Sequence, residues 1–392
     1  MKSDKKIAII GSGEMAVILV ENANRMGIET HTFSSDLHDR VVGVSDEHHD
    51  ISIFDTERII NTCRKIGIQG VLPTTELTVS IAAIVSEALG LPGMPVEQSR
   101  KVTDKGFVRR MADGIENLNQ PEYEIWTIGD RIPTIKTFPV VVKPTSMGGK
   151  RGVSVARNED EFRKALEYSI GSMPPTKKEI IIEQFIGEGK EYSVESLSSK
   201  GSHMVIQVTE KITSGPPHCV ELGHLQPAEL SAELRKKVEE TIPRLLEKVG
   251  VDNTTTHTEI KIVDGEIYLI ELNARSGGDH IAYPLTELST GYPYIQGAIN
   301  VAMGTFGFPS PERFRRNHCG VFFITEQTRD FEPLFEKCDR YAWLYRKNEK
   351  TSDLHELVFN QAFDTNYFIF RAEDRIPEEI AEVLRGRGII EY

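Results

Sequence analysis

The chain reads as an α/β protein that opens with a doubly wound, Rossmann-like domain and continues into antiparallel sheet. Three observations carry that expectation. Over residues 1–96, short β-branched runs alternate with amphipathic helical stretches, as in parallel strands covered by helices. From Val140 to Val155 the chain reads VVVKPTSMGGKRGVSV, a glycine-rich loop clasped between two apolar runs. From Glu259 to Leu272, two alternating runs flank Asp264-Gly265, a strong two-residue hairpin signal.

Taken in order, Lys6 to Ile10 predicts a strand that breaks at Gly11-Ser12-Gly13, and a helix follows from Met15 to Met26, stopped by Gly27. A second strand is expected at Glu29 to Phe33, a helix at Thr56 to Ile66, a strand at Gly70 to Pro73 and a helix at Leu77 to Leu89. His48-His49-Asp50 offers metal-ligand types but reads as a polar loop between short elements, and Leu91-Pro92-Gly93-Met94-Pro95 as an exit from the first domain. A further strand is expected at Ile180 to Phe185.

Composition narrows the function classes. With 392 residues, 39% hydrophobic and 27% charged, the chain has length for two or three domains with sizeable cores. Its net charge of −13 argues against a nucleic-acid binder, which needs a positive face. Cys63, Cys219, Cys319 and Cys338 lie far apart and form no CxxC pair, so neither a disulfide framework nor a zinc knuckle is expected. No apolar run is long enough to span a bilayer and no signal segment follows Met1, so a cytoplasmic protein with small-molecule substrates and no membrane partner is expected.

The hairpin carries the chemistry. Folding at Asp264-Gly265 brings Glu259 toward Glu271 and Asn273, and two carboxylates with an amide oxygen suit a hard cation such as Mg2+. Lys143, just before the glycine loop, suits phosphate oxygens under a closing flap, although no helix-opening GK[ST] of a Walker loop is present. Gly11-Ser12-Gly13-Glu14-Met15-Ala16 matches G-x-G-x-x-A, which opens the alternative of a nicotinamide-dependent oxidoreductase. Against it, the second strand ends in Thr32-Phe33-Ser34-Ser35, with Asp36 arriving late for a ribose contact. The loop then reads as a tight turn whose amides can bind a substrate anion. Cys219 has no geometry for a thiol nucleophile.

The order and spacing of these elements resemble the ATP-grasp superfamily of carboxylate-amine ligases over nearly the whole chain, with an N-terminal α/β domain, a small α+β lid and a central antiparallel-sheet domain. The resemblance implies boundaries at 1–96, at 97–302 with the lid at about 134–187, and at 303–392 for a part that closes the substrate pocket. It implies that Lys105 and Lys143 contact the phosphates, Glu183 and the Ile186 backbone the adenine edge, and Glu191 the ribose. Gly148, Gly149, Phe185 and Lys211 complete the implied ATP-binding set; Glu259, Glu271 and Asn273 would carry two Mg2+ ions, or Mn2+ in their place.

Within the superfamily, TEKITSGPPHCVELGHLQPAEL at 209–230 is similar to the L-amino acid ligases that make dipeptides. That likeness implies Glu221 and His224 facing the amino acid substrates, Glu76 near a substrate amine, and Arg275 with Gly278 stabilising an oxyanion. Purine-pathway relatives, such as a glycinamide ribonucleotide transformylase, usually follow the metal asparagine with Pro-Arg-Pro. Here Ala274-Arg275-Ser276-Gly277-Gly278 stands instead. A homodimer follows only by analogy with the family.

Overall fold

The computed structural model describes residues 4–148, 150–216, 219–351, 353–358 and 364–391. Its first sheet is all parallel, in the order β3-β2-β1-β4, formed by β1 (Lys6–Ile10), β2 (Glu29–Ser34), β3 (Glu47–Asp50) and β4 (Gly70–Pro73). Between them run α1 (Glu14–Arg25), α2 (Val41–Val44) and α3 (Thr56–Ile66), and α4 (Glu76–Leu89) follows β4. Local signals set these ends. Asp55 caps α3 by accepting from the Arg58 amide at 3.2 Å, Gly67 ends it at φ 83°, and Thr75 with Thr78 forms a capping box on α4. The doubly wound expectation holds, with one correction: Glu47–Asp50, expected as a loop, is the edge strand β3. Its EHHD sequence has no apolar alternation to announce a strand; backbone pairing with β2 makes it one.

Two short helices, α5 (Val96–Val102) and α6 (Lys105–Ala112), lead to the lid. Its antiparallel sheet has the order β5-β8-β6-β7, from β5 (Tyr123–Thr127), β6 (Val140–Pro144), β7 (Ser154–Ala156) and β8 (Glu179–Gln184). Helix α7 (Glu159–Ser172) covers one face, burying Phe162 and Leu166 against Trp126, Val142 and Ile180.

The central sheet is antiparallel and eight-stranded, in the order β13-β12-β9-β10-β11-β14-β16-β15. Its strands are β9 (Lys190–Ser199), β10 (Ser202–Thr213), β11 (Glu221–Gln226), β12 (Thr254–Val263), β13 (Glu266–Asn273), β14 (His318–Ile324), β15 (Leu344–Asn348) and β16 (Asn366–Ala372). The C-terminal strands thus extend the central sheet through the β11–β14 pair. Helix α8 (Ala232–Val249) buries Val238, Ile242 and Leu245 on one face. After α9 (Thr286–Thr290), α10 (Tyr294–Ala302) packs between the other face and the first domain. Its Ile295 and Ile299 share a core with Val17 of α1 and Leu197 of β9, and the Tyr294 hydroxyl donates to the Ser196 carbonyl at 3.2 Å. Among the described residues no helix is long and apolar enough to cross a membrane.

The Asp264-Gly265 turn takes positive φ at both residues, 51° and 79°, as a type I′ hairpin requires. A methyl group on Gly265 would meet nothing within 4 Å, so Gly265→Ala tests backbone conformation alone. The expected cost is about 1 kcal/mol, seen as a fall of about 1–3 °C in unfolding temperature. A fall several times larger would show that the turn supports more than the hairpin.

Candidate active site

The hairpin register places Glu259 opposite Glu271 and His257 opposite Asn273, with a bulge after Glu259. All four line a cavity of about 480 Å3, walled by the central sheet, by lid residues such as Lys143 and Val155, and by Thr75 of the first domain. Lys105, at the start of α6, sets its ammonium 3.1 Å from Glu271 and donates to the Met147 carbonyl at 2.7 Å. Lys211 lies 3.1 Å from Glu259 and 2.8 Å from Glu221. Burial opposes its charge, but these two carboxylates raise its pKa well above the ordinary lysine value. Glu259 is likewise held well below the carboxylate range: burial would push it up, and Lys211 and His257 outweigh that. Two carboxylates and an amide oxygen on opposed strands form a donor set that fits a hard divalent cation.

Two residues that the sequence reading missed orient this set. The fully buried Glu195 of β9 hydrogen-bonds the His257 Nδ1, and His257 Nε2 lies 3.4 Å from Glu259. Burial alone would lower the His257 pKa, but Glu195 and Glu259 raise it to about 9, so the ring is a cation at neutral pH. The available signal was a single carboxylate within the alternation Ser193 to Ser199, which cannot name its partner.

On the lid side, Glu183 has both oxygens engaged, one by Lys143 at 2.7 Å and one by Arg109 Nε at 2.8 Å. Despite burial, these cations hold its pKa at about 2. Arg109, also missed from sequence, donates further to the Leu269 and Ile270 carbonyls at 2.8 and 2.9 Å and so ties α6 and the lid to β13. Phe185, Ile186 and Glu191 line the cavity, with the unforeseen Lys261 ammonium 5.3 Å from the Phe185 ring centre and 4.0 Å from Glu191. Gly148 sits tightly under the flap, where a Cβ would run into the Glu76 carboxylate. Gly149 lies outside the described residues. Lys105, Lys143, Lys150, Arg151, Lys261 and Arg275 line the cavity together with carboxylates such as Glu183, Glu191, Glu221, Glu259 and Glu271, so anion-binding and cation-binding groups meet in one enclosure within a chain of net charge −13.

The loop after Asn273 forms the far wall. Arg275, Gly278 and Asp279 line the cavity, whereas the Gly277 amide turns inward to Glu195 at 3.0 Å. Asp279 and His280 both adopt left-handed φ, 50° and 68°, a strain of about 1–3 kcal/mol each. Asp279 is pushed up to about 7, by burial first and then by the neighbouring Glu221.

The resemblance implied that Glu221 and His224 both face substrate, and the structure separates them. Glu221 lines the cavity, while His224 is fully buried behind it, its Nε2 3.2 Å from Glu221 and its ring edge-on to Phe323. Both stand beside Lys211, which pairs with His224 across β10 and β11 and lies 2.8 Å from Glu221, because a register shift at Ile212/Thr213 offsets the strand alternation; His224 is the deeper of the two. Burial lowers the His224 pKa, leaving a neutral imidazole. Glu76 and Lys211 also sit behind the lining; Glu76 Oε2 is buried without a hydrogen-bond partner among the described residues. Burial raises the Cys219 thiol, in keeping with no thiol chemistry. At the Gly11–Gly13 turn, the Gly13 amide donates to Asp39 at 2.9 Å, so a side chain already takes the anion position.

Two predictions separate these roles. A Cβ at Gly277 would stand 2.6 Å from His257 Nδ1 and 2.7 Å from Glu195, whereas Gly278 faces open space. Gly277→Ala should therefore lose most nucleotide affinity, and Gly278→Ala, which keeps the amide, should bind within a few-fold of the parent in calorimetry. Equal losses would show that the loop acts only through its flexibility. For Asp279, the folded pKa of about 7 exceeds its ordinary 3.8. Stability from its bound proton is therefore full below 3.8 and is lost as pH rises through 7. Asp279→Asn should gain in unfolding temperature over the parent from pH 5 to pH 7 and then level off; a pH-independent difference would contradict the shared proton.

Comparison with known proteins supports this architecture. Residues 136–283 match the ATP-grasp domain family. The chain is 24% identical to the alanine–anticapsin ligase of Bacillus subtilis (strain 168) over 264 residues, 61% of this chain and 55% of that protein. It is 23% identical to a formate-dependent phosphoribosylglycinamide formyltransferase of Methanocaldococcus jannaschii over 265 residues, 64% of each chain. The matches thus span about half to two thirds of these relatives' length. The crystal structure of an L-amino acid ligase from Bacillus licheniformis superposes with a TM-score of 0.79 at 21% identity, covering 98% of this chain and 97% of that one. The chain has the ATP-grasp fold, and its residues 136–283 are an ATP-grasp domain.

Proposed function

We propose that this protein is an ATP-dependent ligase that activates a carboxylate as an acyl phosphate and joins it to an amine, releasing ADP and phosphate. One observation carries the reading: Glu259, Glu271 and Asn273 share a cavity with Lys105 and Lys143 on one side and Arg275 on the other. Phosphate binding, cation binding and oxyanion stabilisation thus meet within one enclosure.

Bound at Glu259, Glu271 and Asn273, Mg2+ would neutralise charge on the nucleotide phosphates. Lys105 and Lys143 hold those phosphates in line, and Glu183 with Arg109 aims Lys143. The backbone at Gln184–Ile186 meets the adenine edge beside Glu183, whose oxygens also hold Lys143 and Arg109, and Glu191 takes the ribose hydroxyls. The substrate carboxylate oxygen attacks the γ-phosphorus and ADP leaves. An amine then attacks the acyl carbon, the amine proton passes to a carboxylate, and phosphate departs. Arg275 and the Gly278 amide face the oxygen that gains charge in that second step, while Glu221 and Asp279 are placed to receive the amine. His224, neutral and buried, orients Glu221 rather than touching substrate.

The substrates we favour are two amino acids, in line with the amino acid ligases among the relatives. A phosphorylated amine of the purine type is the second reading, supported by the formyltransferase match. We place the protein in the cytosol, consistent with its four free cysteines.

The test is ADP release from Mg2+-ATP across amino acids, small carboxylates and phosphorylated amines, singly and in pairs. Release that requires a particular amino acid pair is expected. Arg275→Ala should lower turnover about 100- to 1,000-fold, and Glu271→Gln should remove Mg2+-dependent ADP formation. Near-normal turnover in Arg275→Ala would sink the oxyanion role, and release requiring a phosphorylated amine would select the second reading.

A further inference from the structure

Away from the cavity, at the edge of the first sheet farthest from β4, a second cluster of donor atoms converges. The parallel register of β2 and β3 pairs His31 with Glu47 and Phe33 with His49, so these side chains share one sheet face. His48 falls on the other face, where its Nδ1 meets the Thr32 hydroxyl at 2.9 Å. The polar His48-His49-Asp50 motif is thereby divided, and His49 acquires partners from a distant stretch of chain.

Those partners form a compact triangle. His31 Nδ1 lies 3.1 Å from His49 Nε2, Glu47 Oε2 lies 3.5 Å from the former and 3.9 Å from the latter. In a tetrahedral site with metal–nitrogen bonds of about 2.0–2.1 Å, neighbouring donors stand about 3.3–3.4 Å apart. The longest side, 3.9 Å, must close by about half an ångström and the others shift by about 0.1–0.3 Å to ligate one ion. We propose that His31, His49 and Glu47 form a binding site for a divalent transition-metal ion of the zinc class, separate from the Mg2+-ATP site.

A second observation supports it. The other ring nitrogen of His31, Nε2, is held by Glu29 Oε1 at 2.9 Å, and Glu29 is itself braced by Lys6 at 3.1 Å. A carboxylate behind the ligating imidazole is the arrangement that orients histidine toward a metal and raises its basicity. His31 is 1% exposed, so its ring cannot swing away, and His49 is stacked on Phe33 with ring centres 4.6 Å apart. Glu47 and His49 open onto a groove of about 670 Å3 beside α3, giving an entry path and room for water at the remaining position.

Two imidazoles and one carboxylate select zinc-class ions over Mg2+, which prefers oxygen donors. Bound there, the ion would cross-link the polar edge strand β3 to β2 beside the Phe33–His49 stack. This inference is independent of the ligase reading.

The test is titration of the chelator-treated protein with Co2+ and then Zn2+ in excess Mg2+, read by visible ligand-field absorption and by unfolding temperature. One equivalent of Co2+, displaced by Zn2+, with a raised unfolding temperature is expected. Glu47→Gln, at a side chain 59% exposed and so safe for folding, should weaken binding at least tenfold. Glu29→Gln should weaken it about 10- to 100-fold, and His49→Ala should abolish it. Glu271→Gln should bind Co2+ as the parent does. Absence of stoichiometric uptake, undiminished uptake in Glu47→Gln, or loss in Glu271→Gln would overturn the proposal.

Discussion

A chain of buried charges across the central sheet governs the rest of the site. It runs from Glu221 to Lys211 to Glu259, and through His257 to Glu195, across β11, β10, β12 and β9. Each of these groups is costly to bury alone, so each is tolerable only while its neighbours keep their charge. Removing one member of such a chain leaves an uncompensated charge, typically worth about 3–5 kcal/mol. The consequence is rigidity where it matters: Glu259 is held ionised, and Gly277 is pinned through Glu195. The Glu259, Glu271 and Asn273 set and the Arg275 loop therefore share one support.

The second constraint is how three sheets are brought to one cavity. Helix α10 packs against the central sheet and α1 together, which delivers Thr75, just past β4, to the cavity wall, with Glu76 behind it. Arg109 performs the corresponding task for the lid, joining Glu183 on β8 to backbone carbonyls of β13. These contacts connect residues far apart in sequence, and the strained Asp279–His280 segment persists because both of its ends are fixed.

How much of this was legible follows from the range of each interaction. The β1–α1–β2 succession, the α3 and α4 boundaries and the Asp264-Gly265 turn depend on local periodicity, caps and positive φ, and they appear close to where the residues place them. The opposition of Glu259 and Glu271 follows from the turn, because a two-residue hairpin dictates register. β3 was not legible, since a four-residue polar edge strand is defined by its neighbour's backbone. The positioning residues Glu195, His257 and Arg109 were not legible either. A buried charge looks like any surface charge until its partner is known.

By itself, then, the sequence determined the elements, the hairpin register and the residue types able to bind a cation and phosphates, because all of these are set over spans of a few residues. Only the tertiary structure decided which of them face the cavity. It set Glu221 in the cavity wall with His224 directly behind it, engaged Glu183 with Lys143 and Arg109, and gathered His31, Glu47 and His49 at a sheet edge. The physical reason is that desolvation and pairing depend on distance in space. Strand alternation gives a side chain one of two faces, and the packing of other chain segments decides whether that face meets solvent, core or an opposite charge.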